Sequence, residues 1–190
     1  MSNEATKQKL GELYEQLMEV RNSMLELQKG IEPEPVEDYE LDTLDGKRHV
    51  SSFFGNHDTL FLIHNMGSHC VYCTVWADGF NGVIDHLQDR AGFVLTSPES
   101  PEKQQEFAKS RGWRFPMASV ENSTLAVDMG YHLESGEFMP GVTVLKKADD
   151  GAIAKVADTP FGPGDPYCAV FNLFDLIPEG SEDWQPKLAY

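Results

Sequence analysis

Cys70 and Cys73, two of only three cysteines, are separated by two residues in the stretch Ser68-His69-Cys70-Val71-Tyr72-Cys73. If the run that follows is helical, this spacing puts both thiols in its first turn, the first at the open end and the second beneath it. The positive end of the helix dipole favours a thiolate at Cys70, and a second thiol within reach lets the pair cycle between dithiol and disulfide. In that chemistry Cys70 attacks, Cys73 resolves the mixed disulfide, and His69 lowers the pKa of the first thiol further. Two other readings stay open for the same pair. The thiols can simply pack in the reduced state, or they can bind a metal with the imidazoles of His64, His69 and His86. The metal reading lacks a second C-x-x-C, so no metal and no cofactor are expected.

A pair of this kind needs a strand to deliver it and a helix to hold it. Thr59-Leu60-Phe61-Leu62-Ile63-His64 is a near-continuous apolar run of strand length, the pattern of a central strand buried on both faces. After the motif, Cys73, Trp76, Phe80, Ile84 and Leu87 recur at three- and four-residue steps, so the second cysteine shares the buried stripe of a helix. Gly79 and Gly82 weaken its middle and permit a bend. Phe93 to Thr96 is a second buried strand, and Ser100-Pro101 opens a helix through about Arg111. Further on, 123–130 reads as a short helix. Val142 to Leu145 and Ile153 to Val156 flank Asp149-Asp150-Gly151 as an antiparallel hairpin. Phe161 to Pro166 is a rigid loop, Tyr167 to Ile177 is a last helix ended by Pro178, and the tail 179–190 has no periodicity.

Upstream, residues 1–31 form a separate element. Leu10, Leu13, Leu17, Val20, Met24, Leu27 and Ile31 alternate at three and four residues, the seam pattern of a coiled coil. The stripe either lies on the parent domain or pairs with a second copy, and the expected partner is a homodimer mate bound through this helix. Glu32 to Asp45 holds seven acidic residues and no basic one, an acidic linker leading into a first strand, and Asp45-Gly46 is the turn of a peripheral hairpin from Tyr39 to Phe54. The main domain is expected over 39–178.

The formal net charge of −16 opposes binding to phosphate backbones or anionic membranes, so no nucleic acid and no membrane are expected as partners. No apolar run approaches the roughly 18 residues needed to span a bilayer. The first residues read as a charged amphipathic run rather than an apolar leader, and the expected location is the cytoplasm. In a reducing cytosol a C-x-x-C suggests redox or metal chemistry rather than a structural disulfide.

Strand, C-x-x-C helix, strand, helix, then a proline-led hairpin and a closing helix resembles the thioredoxin fold from about Tyr39 to Pro178. The fold class expected is therefore α/β, a central mixed sheet flanked by helices, with the long N-terminal helix added. The resemblance implies a polar residue six before the first cysteine that serves the second, which falls on His64. It also implies a cis proline facing the disulfide ahead of the penultimate strand, which falls on Pro140. Cys70, Cys73 and His64 are then the catalytic candidates. His69, Tyr72, Met139 and Pro140 are the candidates for holding a thiol or disulfide substrate. Asp78 to Gly82, His86-Leu87, Ser97 to Pro101 and Lys109-Ser110-Arg111-Gly112-Trp113 are similar to a bacterial thioredoxin-like family of unknown function near the alkyl hydroperoxide reductase and thiol-specific antioxidant group.

The chain departs from both better-known groups. Thioredoxins place tryptophan before the first cysteine and Gly-Pro between the pair, where this chain has His69 and Val71-Tyr72. Peroxiredoxins place threonine three residues before the peroxidatic cysteine, where this chain has Gly67. The expected function is a thiol-disulfide oxidoreductase. The alternatives are a peroxiredoxin-like peroxide reductase and a non-catalytic binding or assembly module of thioredoxin shape.

Overall fold

A computed structural model describes residues 2–190 and divides the chain into two units, one ending at Pro33 and the other spanning Glu34–Tyr190. The first unit is helix α1 (Asn3–Lys29), started by Ser2, whose hydroxyl accepts the Ala5 N–H, and stopped at Gly30. None of its residues is buried, and the seven stripe residues are between 49% and 75% exposed.

The second unit is built on an eight-stranded sheet. In chain order the strands are β1 (Glu34–Val36), β2 (Glu40–Thr43), β3 (Gly46–His49), β4 (Thr59–His64), β5 (Gly92–Ser97), β6 (Met117–Ser119), β7 (Gly141–Lys147) and β8 (Ile153–Pro160). Across the sheet they run β1-β8-β7-β4-β5-β6-β2-β3. The continuous apolar runs take the centre, as burial on both faces requires. All six residues of β5 are buried, and so are five of the six in β4. Side chains alternate between faces. Leu60, Leu62 and Val94 enter one cluster with Leu41, Phe54 and Leu145, whereas Ile63, Phe93 and Leu95 enter another with Trp76, Ile84 and Phe161. Strands β4 and β5 are parallel, and β7 runs antiparallel to β4 with Gly141 opposite His64.

The α-helices of this unit are α2 (Val71–Gly82), α3 (Ile84–Arg90), α4 (Pro101–Arg111), α5 (Leu125–Asp128) and α6 (Ala169–Phe174). The hairpin expected to run to Phe54 ends at His49, where a 3-10 turn over Val50–Phe54 buries Val50, Phe53 and Phe54. The single helix expected after the cysteines is two, divided at Val83 immediately after Gly82, where the two glycines leave the backbone least restrained. Helix α4 begins as expected, with Ser100 as its cap and Pro101 in its first turn. The acidic linker is not wholly a connector. Glu34 to Val36 adds an edge strand to β8, with Glu34 paired to Lys155 by a 3.0 Å ion pair, and Pro35 is tolerated because an edge leaves its missing N–H unneeded. The closing helix is shorter than the expected Tyr167 to Ile177. Asp165 Oδ1 takes the N–H groups of Tyr167 and Cys168 before the helix starts, and past Phe174 the chain closes i to i+3 bonds ahead of Pro178. The aperiodic tail still packs: Trp184 stands edge-on to Phe171 and Phe174, and the Leu188 carbonyl accepts from Arg111. Arg111 and Trp113 also both donate to Asp78, which ties α4 to α2.

Candidate active site

Strand β4 ends at His64, and six residues carry the chain to α2. Asn65 turns first: its N–H bonds to the Thr96 carbonyl and its Oδ1 accepts the Gly67 N–H at 2.7 Å. Gly67 then takes φ +110°, a conformation that a side chain would strain. The Cys70 N–H closes back onto the Gly67 carbonyl at 3.1 Å. Cys70 is itself the N-cap of α2, its extended backbone followed directly by the helix, and its sulfur accepts the Cys73 N–H at 3.1 Å. A cap sulfur in this place sees the unsatisfied N–H groups and the dipole of the first turn.

The two thiols face each other, both free, with Cys70 half-buried and Cys73 buried at 3% exposure. A hydrogen bond from the Cys73 thiol brings the Cys70 pKa down to about 6, helped by the Cys73 N–H and the nearby His69 and opposed by partial burial. That same hydrogen bond, followed by burial, pushes Cys73 well above the ordinary thiol range. The two shifts run in opposite directions, favouring the thiolate on Cys70 and the proton on Cys73.

Around this pair the other candidates divide. His69 is exposed beside Cys70, and Tyr72 is half-buried with its ring stacked at 6.4 Å on Phe171 of α6. His64 is buried at 3% exposure, its Nε2 2.9 Å from Thr143 Oγ1 and its ring stacked 3.8 Å from Tyr131. Burial draws its pKa down to about 3, so the imidazole is neutral throughout the physiological range and has little affinity for a proton from Cys73. Hydrogen bonding and stacking, rather than proton transfer, are the interactions the structure gives it.

Because Gly141 pairs with His64, Met139 and Pro140 arrive at the end of β4 from which the loop to Cys70 departs. Met139 is exposed, with its N–H bonded to the Tyr131 carbonyl, and the Pro140 carbonyl accepts from Phe161. The cis proline implied by the thioredoxin resemblance is not found: every peptide bond among the described residues is trans. The approach to β7 is satisfied by those two backbone bonds in the isomer that proline also intrinsically prefers. Among the described residues no three of His, Cys, Asp and Glu gather closely enough to hold a metal. Cys168 is buried among Trp76, Phe161 and Phe171.

The residues that sequence reading missed lie across the loop. Glu99 accepts both the N–H and the hydroxyl of Ser68, and Gln104, 2% exposed, donates to the Ser97, Glu99 and Ala118 carbonyls. Glu99 and Ser68 are 31 residues apart, so no local spacing announces the contact.

A family model described as a bacterial protein of unknown function (DUF899) matches residues 9–189. Comparison with curated proteins gives no match. Among solved structures, the chain is similar to peroxidoxin BcpB from Mycobacterium tuberculosis at 25% identity and TM-score 0.52, over 64% of this chain and 80% of that one. It is also similar to a cysteine-to-serine variant of PrxQ from Xylella fastidiosa, at 12% identity and TM-score 0.58 over 72% and 89%. A peroxiredoxin-like protein from Aquifex aeolicus matches at 16% identity and TM-score 0.52 over 67% and 74%. The architecture is the thioredoxin-like fold that these proteins share.

Proposed function

The chain belongs to the bacterial DUF899 family, and from that premise we propose that it is a thiol-disulfide oxidoreductase working through Cys70 and Cys73. One observation carries the reading: a half-buried sulfur caps α2 and accepts the Cys73 N–H, with the second thiol directly beneath. The Cys70 thiolate attacks one sulfur of a substrate disulfide; that S–S bond breaks, its other sulfur leaves as a thiolate, and a mixed disulfide forms. Capping Cys70 removes the anion and the hydrogen-bond acceptor that hold the Cys73 proton most strongly. Cys73 then loses its proton to water, attacks the Cys70 sulfur and releases the second substrate thiol. A dithiol donor must afterwards reduce the Cys70–Cys73 bond. His69, Tyr72, Met139 and Pro140 are proposed as the rim that receives the substrate. His64 is proposed to hold the end of β4 in register rather than to shuttle protons. A dithiol resting state suits the reducing cytoplasm. No helix among the described residues is long and apolar enough to cross a membrane.

A peroxide is the alternative electrophile, favoured by the likeness to the Mycobacterium tuberculosis peroxidoxin. The Cys70 thiolate would then attack one peroxide oxygen and become a sulfenic acid as the O–O bond breaks and the other oxygen leaves as an alcohol or water. Cys73 would attack that sulfenic sulfur to form the Cys70–Cys73 disulfide and expel water. The loop argues for the disulfide. Where peroxiredoxins carry threonine, Gly67 has φ +110°, and a Cβ there would stand 3.0 Å from Glu99 Cδ. The deciding experiment is a titration against a glutathione redox buffer with mass detection. A single two-electron midpoint, with two hydrogens lost from the Cys70–Cys73 peptide, is expected. A pair that stays reduced across the whole range contradicts the reading.

We further propose that α1 pairs with the α1 of a second copy in parallel register. Its seam residues are exposed, and helical geometry sets Lys7, Lys9, Tyr14, Gln16 and Arg21 along the seam's flanks while Glu12, Glu15, Glu19 and Glu26 fall on the far side. In a parallel pair Lys9 faces Tyr14 and Gln16 faces Arg21, so no like charges oppose. Sedimentation of the full chain is expected to give a dimer. Leu17→Glu with Met24→Glu is expected to weaken it by about a hundredfold or more, since two charges would enter each strand of the seam. A wild-type monomer at tens of micromolar would exclude this pairing.

A further inference from the structure

The loop that presents Cys70 is held from outside by one carboxylate. Both oxygens of Glu99 are engaged: Oε2 accepts the Ser68 N–H at 2.9 Å, and Oε1 accepts the Ser68 hydroxyl at 2.7 Å. Lys103, one turn into α4, closes on Oε1 at 2.6 Å, and the Glu99 side chain is only 12% exposed. The same side chain fills the space over Gly67, with Cδ, Oε1 and Cγ at 3.0, 3.1 and 3.2 Å from where a Cβ would stand. Glu99 in turn is fixed by its backbone, whose carbonyl accepts from buried Gln104 at 3.0 Å and whose N–H reaches Ser97 Oγ at 3.4 Å. The carboxylate is thus rigid, charge-compensated and directed at residues 67 and 68. The next backbone bond runs from the Cys70 N–H to the Gly67 carbonyl.

We propose that Glu99 is a positioning residue for the nucleophile: by clamping Ser68 over Gly67 it holds Cys70 in the extended N-cap conformation in which its sulfur faces the first-turn N–H groups. This rests on the redox reading of Cys70 and adds to it the residue that sets the thiol's geometry. Glu99 acts through Ser68 and Gly67 and touches no substrate. Its role is opposite in sign to its charge. An anion near a thiol raises that thiol's pKa, so deleting the charge by itself would ease ionisation of Cys70. Deleting the clamp instead frees the loop, takes the sulfur away from the helix end and makes ionisation harder.

That opposition makes the proposal testable on the full chain by mass-resolved alkylation of Cys70 with iodoacetamide as a function of pH. Glu99→Ala is expected to raise the midpoint from about 6 by at least roughly one unit towards the ordinary thiol value of about 8.5, slowing alkylation at pH 7 by about twofold for a one-unit rise and by more for a larger one. Glu99→Gln keeps the shape and an acceptor for the Ser68 N–H, and is expected to restore a low midpoint. Ser68→Ala, which removes only the hydroxyl bond, guards against a Glu99→Ala protein that does not fold; a smaller rise of the same sign is expected. A folded Glu99→Ala protein whose midpoint is unchanged or lower overturns the clamp, as does a Ser68→Ala protein with no rise. A low wild-type midpoint that ignores these variants sinks the clamp alone. A wild-type midpoint in the ordinary thiol range sinks the redox reading and the clamp with it.

Discussion

Cys70→Ser is expected to lower the rate of reduction of a small disulfide by about a thousand-fold or more, the scale seen when the nucleophile of a concerted site is removed. A serine hydroxyl remains protonated at neutral pH and does not carry out thiol-disulfide exchange. It is nevertheless a good helix N-cap and can accept the Cys73 N–H that the sulfur now accepts. The fold is therefore retained and the loss is chemical. Cys73→Ser should behave differently: the first attack survives, the second cannot occur, and the substrate thiol stays bound to Cys70 as a mixed disulfide visible by mass. A Cys70→Ser protein that keeps more than about a tenth of the wild-type rate would mean that the reacting sulfur is elsewhere.

Gly141→Ala is the structural counterpart, with an expected cost of about 3 kcal/mol and a fall in Tm of roughly 10 °C. Gly141 faces His64 across the β4 and β7 pair, and the Tyr131 ring lies against its Cα where a side chain would be. An added Cβ would meet Tyr131 Cε1 directly and would stand 2.6 Å from the Thr159 carbonyl oxygen on β8. The ring cannot retreat without leaving His64, on which it stacks, and the carbonyl belongs to a paired strand. Either movement loosens the end of the sheet from which the Cys70 loop departs. Thermal unfolding followed by circular dichroism measures the effect. A variant that melts within about 2 °C of wild type would show that this junction is more pliable than its contacts imply.

Much of the centre of the fold was legible because its signals are local. Thr59 to His64 and Phe93 to Thr96 are apolar runs that only a doubly covered strand accommodates, and they form the core of β4 and β5. The hairpin around Asp149-Asp150-Gly151 announced itself by its turn, and the start of α4 by Ser100-Pro101. The periphery was harder to read because its structure comes from partners distant in sequence. Strand β6 exists through pairing with Leu95 to Ser97, and β1 through pairing with Ile153 to Lys155. Neither stretch carries a strand pattern of its own.

The site divides along the same line. The spacing of Cys70 and Cys73 and the helix terminus at Cys70 are legible in the pattern, but the asymmetry of the pair comes first from the hydrogen bond between the two thiols and then from the burial of Cys73. His64 was placed by its distance from Cys70, but its chemistry is set by Tyr131, Thr143 and the surrounding burial, which the spacing does not encode. The trans Met139–Pro140 bond likewise follows from local backbone partners rather than from the resemblance. Glu99 was invisible because its contact crosses from the end of β5 to the loop after β4.

Every reaction step proposed for this pair requires the Cys70 sulfur to be an anion at neutral pH. Alkylation of the native wild-type chain, resolved to the Cys70 peptide and followed from about pH 4 to pH 9, measures this directly. The rate is expected to be half-maximal near pH 6 and level by about pH 7.5, because the thiolate fraction is then nearly complete. A rate that is negligible at neutral pH and still climbing through about pH 8.5, as for an ordinary thiol, would contradict the account.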